Sequence, residues 1–212
     1  MKRPYFPIRV TVLLITTLLL ISTAINVQAQ QTTSRLAQLR VIEYGGDLGS
    51  LLGSLSSSFE VVISFEVARS EPQSFVKVSL QDATPDDIMN AIVANKPIYT
   101  WRKTPLGFEV LPRNNPDQFL DSVFSSFHVE NATPNDALKS LVAREDVVSA
   151  FRQFGITDSS TNAPLNSVAK LNMDLNGVTI REAISQITAA SGLKYWTYKR
   201  TGQSISITIF DK

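Results

Sequence analysis

One stretch of the chain recurs. Asp82–Ala94 reads Asp-Ala-Thr-Pro-Asp-Asp-Ile-Met-Asn-Ala-Ile-Val-Ala; Asn131–Ala143 repeats it with small changes, and Asn176–Thr188 repeats it again. In each copy a threonine (Thr84, Thr133, Thr179) precedes an acid by three places (Asp87, Asp136, Glu182). That spacing is a capping box, in which hydroxyl and carboxylate each serve a backbone N–H that the first helical turn leaves unpaired. Pro85 and Pro134 fall at the first helical position, where no donor is lost. Apolar residues then follow at helical spacing: Ile88, Met89 and Ile92; Ala137, Leu138 and Leu141; Ala183, Ile184 and Ile187. The chain must therefore build three short helices, each burying one face.

What precedes each helix is also repeated. Val78 and Leu80, Phe127 and Val129, and Met173 and Leu175 stand six and four residues before the capping threonine, the alternation of a half-buried strand. Upstream, Leu39–Tyr44 reads as a strand, Asp47 as the cap of a helix carrying Leu48, Leu51, Leu52 and Leu55, and Phe59–Phe65 as a buried strand. Downstream, Ile98–Arg102 and Phe108–Leu111 form a hairpin turned by Thr104–Gly107. The second half should repeat this order. A further helical turn or two is expected over Glu145–Phe154, a polar loop over Gly155–Ser167 and a last alternating strand over Ser204–Phe210. From Leu171 onward the halves align at a constant offset of 95, pairing Thr84 with Thr179, Trp101 with Trp196, Gly107 with Gly202 and Val110 with Ile205. The expected fold is α+β: two tandem small domains, each β-α-β-β-α-β-β, with short helices on small mixed sheets. The boundaries are a first domain at 39–112, a Pro/Asn-rich linker at 113–121 and a second, divergent domain at 122–212.

The N-terminus is of a different kind. Lys2, Arg3 and Arg9 lead into an apolar run from Val10 to Ile25, then Val27-Gln-Ala29, the pattern of a secretory signal peptide (residues 1–29) cleaved after Ala29, with a polar leader at 30–38. Cleavage would remove three basic residues and no acidic one, taking the formal charge from +1 to −2. That balance gives no footprint for nucleic acid. No other stretch is long and apolar enough to span a membrane, and there is no cysteine for a staple or a lipid anchor.

The strand, Thr/acid-capped helix and paired strands of 76–92 and 171–187, each followed by an aromatic hairpin, resemble the short N-terminal domain shared by secretins and TonB receptors, here in two tandem copies. The resemblance implies a periplasmic, non-catalytic docking module. Its partners would be other cell-envelope proteins: an outer-membrane receptor, a secretin assembly or an inner-membrane regulator.

Chemistry-bearing motifs are sparse. His128 is the one histidine and stands on the polar side of a strand; without cysteine or a second histidine no transition-metal ligand set exists, so no cofactor or metal is expected. No Gly-x-Ser-x-Gly elbow or phosphate loop occurs. The acids of the repeats are caps. Tyr99 with Trp101, and Trp196 with Tyr198, each share one strand face and are candidates for core packing or a partner surface. Ser206 and Thr208, on the last strand, are candidates for strand addition at an exposed edge. The competing function is an envelope hydrolase or carbohydrate-binding accessory with aromatics and carboxylates in the cleft between the halves.

Overall fold

The computed structural model describes residues 39–69, 75–164 and 169–211. The expected signal peptide (1–29) and leader (30–38) lie outside them. Ten strands and five helices follow in the order β1 (Leu39–Asp47), α1 (Leu48–Phe59), β2 (Val62–Val67), β3 (Phe75–Ala83), α2 (Pro85–Asn95), β4 (Tyr99–Thr104) and β5 (Gly107–Pro112), then β6 (Ser126–Ala132), α3 (Pro134–Val142), α4 (Glu145–Gln153), β7 (Asp158–Asn162), β8 (Leu171–Asn176), α5 (Ile180–Ala190), β9 (Tyr195–Thr201) and β10 (Ser204–Phe210). The α+β class and the β-α-β-β-α-β-β order of the first half are as expected. The second half inserts α4 into the same order. It also contains β7, where the polar run Asp158–Asn162 gave no apolar alternation and read as loop. α1 runs on through Phe59, which β-propensity had assigned to the following strand; Leu48, Leu51, Leu52, Leu55 and Phe59 form its buried face.

The repeat is local and physical. Thr84 and Thr179 both close full capping boxes, with Asp87 and Glu182 accepting the cap residue's own N–H at 3.0 and 2.8 Å. In the middle copy Thr133 accepts the Asp136 N–H at 3.1 Å and donates its hydroxyl to that carboxylate at 2.6 Å. Two residues before each threonine the backbone turns left-handed, at Asp82 (φ 48°), Asn131 (φ 49°) and Gly177 (φ 63°). These are the residue types that adopt this conformation at least cost, so the turn from strand into helix is written into all three copies.

Ten strands resolve into three sheets. A central six-stranded sheet has the order β4-β5-β2-β9-β10-β7, flanked by the antiparallel ladders β1-β3 and β6-β8. Each half contributes an antiparallel hairpin and one strand parallel to it: β4-β5 with β2, and β9-β10 with β7. The halves meet where β2 pairs in parallel with β9, Ile63 to Tyr195 through Val67 to Lys199. Strand order is preserved from one half to the next while strand direction reverses, so the second unit is rotated about the in-plane axis and its helices lie on the opposite face. The two cores show it. Ile63, Phe65, Tyr99, Val110 and Tyr195 pack with α1, α2 and β3, whereas Val62, Trp196, Tyr198, Ile205 and Ile207 pack with α3, α5, β6 and β8. The result is five layers, β/α/β/α/β, each helix layer enclosed between the central sheet and a two-stranded ladder.

Two expectations about the duplication are corrected. Trp101 stands against Val110, but Trp196 stands against Ile209, not Ile205. The offset of 95 thus holds through α2/α5 and β4/β9 and fails at the turn, because the second hairpin is longer: Thr104 faces Gly107 in one, Thr201 faces Ser204 in the other. The segment 113–121 is not an exposed linker either. Phe119 and Leu120 on its 3-10 turn (Gln118–Asp121) are fully buried in the second core, and Asp117 is buried beside them.

Candidate functional site

The join between the halves is held by charge as well as by strand pairing. Glu66 on β2 accepts the Asp117 N–H at 2.5 Å through one oxygen and the Arg181 guanidinium at 2.9 Å through the other. Arg181, on α5 and 2% exposed, also reaches Asp121 at 3.1 Å. The Asp117 carboxylate accepts the Tyr198 hydroxyl at 2.8 Å, Arg69 at 3.0 Å and Arg200 at 3.2 Å. Burial pushes the Glu66 carboxyl above its ordinary range, and Arg181 with the Asp117 N–H only partly offsets it. Burial acts on Asp117 too, but there Tyr198, Arg69 and Arg200 together outweigh it and hold the carboxyl below its usual range. Such a network is strongly destabilising to break, because each partner removed leaves a desolvated charge. Sequence reading missed it: Glu66, Asp117 and Arg181 lie far apart in the chain, and Glu66 stands one place beyond the run Phe59–Phe65 that reads as a buried strand.

The aromatic candidates separate. Tyr99, Trp196 and Tyr198 are at most 1% exposed and belong to the cores, which removes them from any partner surface. The Tyr99 hydroxyl takes the Ala68 N–H at 3.1 Å, and its ring lies 5.3 Å from Phe65. Trp196 donates its indole N–H to Ser185 at 3.1 Å. Trp101 alone is half-buried, with its indole N–H on Asn90 at 3.0 Å and its ring edge-on to Phe108. Ser206 and Thr208 are not at an edge. β10 is paired on both sides, Ser206 with Lys199 and Ser160, Thr208 with Thr197 and Asn162. The proposal of an open terminal strand fails because β7 covers it.

The sheet ends instead at β4 and β7. Along β4 the Arg113 N–H donates to the Ile98 carbonyl at 2.7 Å, which sets the phase of an alternating antiparallel ladder. Thr100 and Arg102 therefore turn their backbone groups to β5, and Trp101 and Lys103 turn theirs outward. Their counterparts Trp196 and Tyr198 are the residues whose backbone faces β2, as the Ile63 N–H on the Lys194 carbonyl at 2.8 Å requires.

A groove of about 690 Å3 lies between the β4-β5 hairpin and α5, lined by Arg102, Lys103, Leu106, Glu109, Asp121, Val178, Arg181, Glu182 and neighbours. No aromatic residue lines it. Its carboxylates are already held: Glu109 by Arg102 at 2.6 Å, Asp121 by Arg181, and Glu182 by Thr179. This groove is not the aromatic-and-carboxylate cleft expected of a sugar site. His128 is exposed on β6 opposite Asp174. Among the described residues no group of three or more His, Cys, Asp or Glu side chains could hold a metal ion, and no helix is long and apolar enough to cross a membrane.

Compared with known protein families and with curated proteins, the chain matches none. The fold alone sets its class, a five-layer α+β protein made from an internal repeat whose units share one sheet.

Proposed function

We propose that the protein is a non-catalytic docking module of the periplasm, exported by cleavage after Ala29, which binds other cell-envelope proteins by lending them a sheet edge. The observation that carries this reading is β4: a terminal strand of the central sheet whose Trp101 and Lys103 backbone groups point outward beside a half-buried tryptophan. Outward main-chain donors and acceptors give affinity in strand addition, and an aromatic beside them gives selectivity. The partner classes implied by the repeat's resemblance are a receptor, a secretin assembly or an inner-membrane regulator.

The test compares the wild-type chain with Lys103→Pro as bait in its own envelope extract. Proline removes one outward donor and is tolerated on an edge strand. A defined set of proteins held by wild type and lost by a folded Lys103→Pro supports the reading; equal capture by both overturns β4 as the docking edge.

A further inference from the structure

The chain already contains one example of the contact its free edges can make. Within it, β2, the outer strand of the first unit, pairs in parallel with β9, the first hairpin strand of the second. β7 is the counterpart of β2, and β4 is the counterpart of β9; these are the two strands left at the ends of the sheet. We propose that β7 of one copy pairs in parallel with β4 of the next, so that the chain assembles head to tail by repeating its own internal join. The inference rests on β4 being an open docking edge and names its partner as a second copy of this chain.

The register follows from the equivalences. Ser64 stands against Glu109 as Asn162 stands against Thr208, and Val110 and Ile209 are the residues opposite the two tryptophans. Asn162 is therefore the position of Ser64. Since Ser64 stands against Trp196 within the chain, Asn162 of one copy falls against Trp101 of the next. The backbone phase agrees. The Val62 N–H bonds the Leu106 carbonyl at the head of β5 and the Ile63 N–H the Lys194 carbonyl at the head of β9, so the outward residue of β7 corresponding to Ile63 is Thr161. Thr161 of one copy then sits between Tyr99 and Trp101 of the next, accepting the Trp101 N–H, as Ile63 sits between Lys194 and Trp196; the Lys103 N–H falls to Ala163, the counterpart of Phe65, and the ladder is short. The contact also accounts for the difference between the tryptophans: the one covered by the join is fully buried, and the one at the free edge is not.

Such a contact uses two different surfaces, so it propagates instead of closing on itself as a two-fold dimer does. That gives a signature no partner of another kind can imitate. Lys103→Pro disables only the β4 edge, and Thr161→Pro only the β7 edge. The full chain, purified as the cell processes it, is followed by sedimentation over a wide concentration range, with circular dichroism for folding. Wild type should grow past dimer as concentration rises, each proline variant alone should remain a monomer, and their equimolar mixture should form dimers that grow no further. Asn162→Lys, at an exposed position beside Arg102 and Lys103 of the next copy, should weaken assembly without touching a ladder donor, and it decides the matter should a proline variant unfold. Wild type that stays monomeric throughout, or variants that still grow singly, overturns the proposal. A monomeric wild type that still captures envelope proteins through β4 defeats self-assembly and leaves the docking reading standing; assembly without any other capture does the reverse.

Discussion

Trp101 and Trp196 donate their indole N–H to the same position of their own repeat's helix, Asn90 on α2 and Ser185 on α5, at 3.0 and 3.1 Å. Local structure is therefore the same in both units, and what separates the two residues is the strand beside them. β2 covers β9, and no strand of the described residues covers β4. The proposed docking edge rests on that difference.

The buried network makes a pH prediction with two opposed signs. Asp117 is held below its ordinary range, so its contribution is present above its unfolded pKa of roughly 3.9 and is lost as pH falls through the lowered folded value. Glu66 is raised, so its contribution is present below its unfolded pKa and is lost as pH rises through the folded one. Asp117→Asn should cost about 3–5 kcal/mol at neutral pH, by leaving the buried Arg200 guanidinium without its counter-charge and replacing one acceptor oxygen by an NH2 donor, and should flatten the acid limb of stability. Glu66→Gln should steepen it. Urea unfolding of both variants across pH 3–7 checks the pair.

The left-handed residue before each cap should resist side chains that dislike it. A Cβ at Gly177 meets nothing within 4 Å, so any cost there belongs to the backbone alone. Gly177→Ala should lose about 1–2 kcal/mol, while Gly177→Asn, the residue type used at the same place in the middle copy, should lose less. Thermal melts of the two variants rank them.

Removing a cap should be milder and equal in the outer copies. Thr84→Ala and Thr179→Ala should each cost about 1 kcal/mol, with the unfolding transition remaining single because the halves share a sheet and a charged network. Separate transitions for the two halves would contradict a join made by the shared sheet and the charged network.

Export gives a prediction independent of the fold. The chain isolated from the envelope should have the mass of residues 30–212; retention of residues 1–29 would contradict cleavage after Ala29.

Much of the fold was legible because it is local. Capping boxes and strand alternation depend on residues a few places apart, and the repeats identify one another; the left-handed position was not read, because the third copy aligns from Asn176 and not from Gly177. The missed elements depended on contacts made at long range. β7 is a polar strand, Asp-Ser-Ser-Thr-Asn, held by β10 on one side and by α3 on one face, and nothing in its own residues announces that. The segment 113–121 has the prolines and asparagines of a linker, yet Phe119 and Leu120 anchor it. The last strand alternates as an edge strand does, and only the sheet order shows that β10 is internal. Of the candidate binding residues, Trp101 kept its place because Trp196 and Tyr198, its neighbours by repeat, are buried under β2.

Native-state hydrogen exchange, at concentrations where the chain is monomeric, tests the central claim most directly: that the sheet is closed at β9 and open at β4. The amides of Trp196 and Tyr198 should be protected to the level of global unfolding, and those of Trp101 and Lys103 should exchange as unpaired groups, becoming protected when a partner strand is added. Protection of Trp101 and Lys103 equal to that of Trp196 and Tyr198 in the free monomer would contradict the account.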